Sequence, residues 1–185
     1  LADMMFTASR QKHPAFIRYP RGGAEGVAIK DEPAVLEIGE AEVVENFSGN
    51  NKRKVAFLGL GPMFTVAKEA ASELAGDFDC ALINPRFTKP IDKATTEYFA
   101  KTADIVVTLE DHVLSGGYGS IVADFLSEKE VHTPVIKVGW PDQFIEHASS
   151  VGELREKYGL TAKAVVEQVK TPPAKEAGDK ASAVA

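Results

Sequence analysis

Nowhere in the 185 residues is there an apolar run near the roughly 18 to 20 residues that a membrane helix needs, and no signal-peptide pattern is present. No membrane role is expected. Cysteine is almost missing: Cys80, in the run FDCALI, is the single one. An intrachain disulfide is therefore impossible, and a reduced, cytoplasmic setting is expected, with Cys80 a buried and inert thiol. Positive charge is short as well, since 21 Lys and Arg face 27 Asp and Glu and leave a net charge of -6. Nucleic acid and anionic membranes select clustered Lys and Arg, so neither is expected as a partner. Small molecules or protein surfaces fit better. His13, His132 and His147 show no metal-ligand spacing, and one cysteine cannot supply a zinc site, so no metal is expected on this chain. No solenoid-type repeat is present.

What is present is enough apolar residue, 44%, to pack the core of one ordinary domain with a fragment beside it. The first residue is Leu1 rather than Met, as expected of a chain cut from something longer. Leu1 to Lys12 places apolar residues on one helical face, His13 and Pro14 stop it, and Ala15 to Tyr19 reads as a short strand ended by Pro20. A connector follows, then a candidate edge strand within Ile38 to Asn46. From Val55 the pattern is regular. VAFLGLG reads as a buried strand and Met63 to Leu74 as a helix. Phe78 to Ile83 is the next strand, and a helix from about Asp92, its candidate cap, runs to Lys101. Ile105 to Leu109 with a helix after Gly117 makes a third unit. TPVIKV supplies another strand, and two short helices, Val151 to Tyr158 and Ala162 to Val169, come last. Such alternation specifies an α/β fold with a largely parallel sheet and helices on both faces. The tail from Thr171 to Ala185 lacks large apolar residues and reads as disordered.

The stretch Ile105 to Ser120, IVVTLEDHVLSGGYGS, joins a buried strand to Glu110, Asp111 and His112 and then to a helix start after Gly116 and Gly117, with Ser115 as a candidate cap. Functional groups in open α/β sheets gather at carboxyl ends of strands, where these polar residues fall. Proton transfer by His112 competes with a plainer reading as a turn histidine that hydrogen-bonds at the surface. GLGPMF lacks the third glycine and the acidic ribose partner of a dinucleotide loop, so nucleotide binding is not expected. Arg18 and Arg21, in IRYPRGG, are the sharper signal. Pro20 and two following glycines let backbone approach a ligand, and the planar guanidinium reads phosphate, although a solvated pair in a turn is the alternative.

In order, IRYPRGG, INPRFTKPID, VTLEDHVLSGGYGS and VGWPDQFIEHAS resemble the carboxyl-terminal third of the 1-deoxy-D-xylulose 5-phosphate synthase family, thiamine-diphosphate enzymes related to transketolase. The resemblance covers Leu1 to Val169. It implies a transketolase C-terminal domain, a three-layer sandwich with a mostly parallel sheet of about five strands. Residues 1–30 would be the end of the pyrimidine-binding domain, 33–170 the C-terminal domain and 171–185 the tail.

By the same resemblance, the second arginine of the YPRG motif, Arg21 here, holds the phosphate of glyceraldehyde 3-phosphate. Arg18, Arg86, Glu110, His112, Gly116 and Gly117 are expected at a domain interface or at the edge of the active site, against a plainer alternative of ordinary loop residues with Arg86 and Glu110 paired on the surface. No catalytic residue is expected in this chain, because no GDG motif with a downstream asparagine is present. Thiamine diphosphate and Mg2+ would be bound outside it, on the rest of the enzyme. The implied reaction condenses pyruvate with the aldehyde, releasing CO2 and feeding isoprenoid, thiamine and pyridoxal synthesis, with the chain alone inactive. Partners would be the remaining N-terminal and pyrimidine-binding domains, in a homodimer. Two alternatives stay open: the C-terminal subunit of another split transketolase-like enzyme, and a non-catalytic interaction domain of the same fold.

Overall fold

The computed structural model describes residues 1–20, 28, 30–147 and 150–171. Near-continuous apolar runs form its central strands, as expected of strands covered on both faces. β1 (Glu42–Glu45), β2 (Arg53–Gly59), β3 (Phe78–Asn84), β4 (Ile105–Val113) and β5 (Val135–Trp140) make one sheet in the order β1-β3-β2-β4-β5. β1 is antiparallel to β3, and every other neighbouring pair is parallel. From β2 the chain moves outward to β3 and then crosses back to β4. β2 and β4 therefore flank the point where the winding reverses, the place where such sheets carry functional crevices.

α2 (Met63–Leu74) and α6 (Ala162–Lys170) bury one face with Met63, Leu74, Val165 and Val169, against Val55, Phe57, Val107 and Leu109 of the sheet. α3 (Lys93–Thr102) and α4 (Tyr118–Glu128) cover the other through Phe99, Val122 and Leu126. α5 (Val151–Tyr158) is a rim helix with no fully buried residue. Three layers result, as the alternation of strands and helices predicts. Asp92 caps α3 as expected, accepting from Thr95 N at 2.9 Å, and its other oxygen accepts from Ala41 N at 2.9 Å.

Several expectations need correction. Ala15 to Tyr19 is not a strand, because no neighbouring strand is available to ladder with it among the described residues, and Phe16 and Tyr19 are left exposed. The opening helix is shorter than its apolar pattern, α1 (Ala2–Ser9). It is tied to the connector rather than to the sheet: Leu36 N donates to Thr7 Oγ1 at 2.9 Å and Ala34 N to Asp3 Oδ1 at 2.8 Å. The last strand begins two residues later than TPVIKV and continues to Trp140. Cys80 is only partly buried, yet burial, then the nearby Asp79 and Glu45 carboxylates, push its thiol up to about 11. The tail 172–185 lies outside the described residues.

Candidate functional site

At the carboxyl edge, β4 does not stop after Leu109. Leu109 pairs with Val138 and Val113 with Trp140, so β4 places Glu110, Asp111 and His112 opposite the single residue Gly139. This is a bulge in the central strand, and bulges re-aim side chains. Gly139 makes room for it, since a Cβ there would sit 2.8 Å from His112 O and 3.1 Å from Glu110 Cγ.

The three polar residues part company at the bulge. Glu110 turns inward, 1% exposed, and accepts from Tyr118 N at 2.7 Å and Gly119 N at 2.8 Å. It therefore does for α4 what Ser115 was expected to do: the helix has Gly117 at its cap position with no side-chain cap of its own, and a carboxylate suits a helix N-terminus. Tyr118, seated beside it, has its phenol pushed up by burial first and then by the Asp92 and Glu110 carboxylates. Gly116 supplies the left-handed turn at φ 69°. Gly117 has an ordinary φ of -79°, but a Cβ on it would lie 2.3 Å from Glu110 Oε2 and 2.4 Å from Val113 O.

Asp111 turns the other way and joins three elements. It accepts from Trp140 Nε1 at 2.7 Å and from Arg155 Nη2 of α5 at 2.9 Å. His112 is half-buried, with Nδ1 2.9 Å from Val113 O. A carbonyl only accepts, so Nδ1 carries a proton and donates to it. Glu110, His112, Gly116 and Gly117 are thus brought together. Arg86 is not with them. It sits past the end of β3 at φ 59°, pairs with Glu42 of β1 at 3.0 Å, and is separated from β4 by β2. The surface pairing of Arg86 with Glu110 is therefore ruled out. Arg18 is exposed on the irregular N-terminal segment, and Arg21, the phosphate-binding expectation, lies outside the described residues.

Sequence reasoning missed a second structure at this edge. The loop after β5 is fastened to α5, with Gln143 Nε2 donating to Tyr158 Oη at 3.3 Å and Tyr158 Oη donating to Glu146 Oε2 at 2.7 Å. Lys157 also pairs with Glu146, and these bonds hold the Glu146 carboxyl down at about 2. Trp140 meets Tyr158 edge to face with ring centres 5.8 Å apart. Between the two fasteners Phe144 is fully exposed. The legible signal was WPDQF itself, an aromatic in a polar turn.

Chemically, the Glu110, Asp111 and Glu146 carboxylates of this edge are committed to internal bonds. Among the described residues no group of three or more His, Cys, Asp or Glu is placed to hold a metal ion. No helix among the described residues is long and apolar enough to cross a membrane.

Comparison with known proteins adds the following. The family described as "Transketolase, C-terminal domain" matches residues 47–165. A 1-deoxy-D-xylulose-5-phosphate synthase of Methylacidiphilum infernorum is 46% identical over 169 residues, 91% of this chain and 26% of that protein. One of Acidobacterium capsulatum is 43% identical over 170 residues, with the same coverage. The chain thus spans about a quarter of the length of these relatives. Among solved structures, a chain titled "Split gene transketolase, inactive beta4 tetramer" aligns with TM-score 0.63 and 37% identity, over 74% of this chain and 43% of that one.

Proposed function

The chain belongs to the transketolase family through its C-terminal domain, and from that premise we propose that it is the carboxyl-terminal part of a 1-deoxy-D-xylulose-5-phosphate synthase. The carrying observation is the 46% identity that runs through 91% of the chain, far beyond the domain match alone. In this reading the complete enzyme is a cytoplasmic homodimer that joins two carbons of pyruvate to glyceraldehyde 3-phosphate and releases CO2, feeding isoprenoid, thiamine and pyridoxal synthesis. Thiamine diphosphate with Mg2+, bound on the preceding domains, supplies the electron sink for that step. This chain contributes no catalytic group and has no turnover alone. Its role is to bring Arg21 to the aldehyde's phosphate and to present the β4 edge, with His112 and the Gly116–Gly117 turn, to the preceding domains. The committed carboxylates of the edge support a docking role over a chemical one.

Replacing Arg21 by alanine in the complete enzyme tests this. Loss of a charge-assisted phosphate contact should raise KM for glyceraldehyde 3-phosphate by about 10- to 100-fold. KM for pyruvate should stay within about twofold, because uniform loss of binding falls on the substrate that made the contact. Equal changes in both constants would remove Arg21 from the phosphate site.

The split-gene neighbour favours a second reading, in which the chain is a separate subunit complemented by another polypeptide. Sequencing the DNA upstream of the Leu1 codon decides between them. A continuous reading frame with diphosphate-binding motifs supports the first, and a stop and start codon supports the second.

A further inference from the structure

A fully exposed phenylalanine in a free loop would need no explanation, but Phe144 is not in a free loop. It stands between Gln143 and Glu146, both fastened to Tyr158, and Tyr158 packs on Trp140, which is itself bound to Asp111. Arg155 closes the same network by pairing with Asp111. Aromatic, ionic and hydrogen-bonded contacts thus stiffen the loop on either side of its largest apolar group while leaving that group bare. Binding hot spots have this form: a rigid aromatic anchor whose ordering cost is already met before the partner arrives.

Charge identifies the partner. Residues 141–158 carry four Asp and Glu against two Lys and Arg, so the surroundings of Phe144 are net negative. Residues 1–30 carry five Lys and Arg against two Asp and Glu, a net charge of +3 in a chain whose total is -6, which leaves -9 for the remainder. The opening segment, the one part of the preceding body that this chain holds, is therefore basic where the domain is acidic.

We propose that Phe144 is the anchor by which this domain docks on the preceding part of the same enzyme, entering an apolar socket rimmed by Lys and Arg. This rests on the reading given under Proposed function. The socket covers the ring, and its basic rim faces Asp142 and Glu156, the acidic residues of the stretch whose carboxylates make neither a hydrogen bond nor an ion pair within the described residues, Glu146 being paired with Lys157 and Glu153 held by Ser150.

The test uses Phe144→Cys on a Cys80→Ser background, in the 185-residue chain and in the complete enzyme, with maleimide labelling read by mass spectrometry at the peptide holding residue 144. Labelling should be at least tenfold slower in the complete enzyme, and raising NaCl from about 50 to 500 mM should speed it several-fold as the rim is screened. Equal rates in an enzyme whose unsubstituted form is active would overturn the docking proposal and leave the functional reading standing. Protection that appears in the 185-residue chain alone as its concentration rises would assign the anchor to a second copy and overturn it too. Salt-independent protection would overturn the basic rim. Protection in a complete protein that does not turn over pyruvate and glyceraldehyde 3-phosphate would support docking while sinking the functional reading.

Discussion

Gly117 and Glu110 require each other. The carboxylate reaches Tyr118 N and Gly119 N only because nothing projects from the residue before them, and a methyl group on Gly117 would stand 2.3 Å from Glu110 Oε2. Gly117→Ala should therefore cost about 2–4 kcal/mol, the range for breaking a buried hydrogen-bonded group, although its φ of -79° is one that any residue adopts. Gly116→Ala sets the control. That position has φ 69° with open space around it, so only the left-handed strain of about 1 kcal/mol applies. Urea denaturation of both variants checks the order, and equal losses would mean that backbone conformation alone explains the glycine pair. The turn was legible because two adjacent glycines after a buried run mark one. The cap was not, because its donor of oxygen lies eight residues upstream of the helix start, and local rules look to the neighbouring Ser115.

At the scale of elements, α2, α3 and the β2, β3 and β4 strands were legible because local signals agree with burial: apolar spacing on one helical face, a capping aspartate, and continuous apolar runs. The strand expected at Ala15 to Tyr19 failed because a ladder needs a neighbour, and no local pattern reports whether one is present. Asp92 shows how one residue joins elements, since it caps α3 and also holds Ala41 N ahead of β1. Burial pushes its carboxyl up, but donors from Ala41 and Thr95 outweigh that and hold it below the ordinary value. A depressed folded pKa means stability that is fully present above the unfolded value of about 3.9 and lost as pH falls through the folded one. Asp92→Ala should cost about 1–2 kcal/mol at pH 7, the range for losing a cap. The gap between the two proteins should narrow below about pH 4. Denaturant titrations at several pH values check this, and a gap that widens in acid would reverse the sign.

For the whole molecule, the topology followed from alternation, whereas the share of the chain that belongs to the sheet domain did not. Large apolar residues are left exposed along the opening segment and connector, at Leu1, Met5, Phe16, Tyr19, Val35 and Ile38, while both faces of the sheet are covered. Among the described residues α1 is hydrogen-bonded to the connector, through Asp3 and Thr7 to residues 34 and 36, and none of its residues belongs to either core. Its stability is thus coupled to a peripheral strap and not to either core, and elements so attached open with low free energy. A chain of residues 33–171 should consequently unfold in one cooperative step, with a Tm within about 5 °C of the 185-residue chain, a shift worth no more than about 1 kcal/mol. It should also bind less of an apolar dye such as ANS, because the exposed Leu1, Met5, Phe16 and Tyr19 are gone. Calorimetry with dye titration measures both. A Tm lower by more than about 10 °C would make the opening helix part of the domain's own core, and the boundary near residue 33 would then be misplaced.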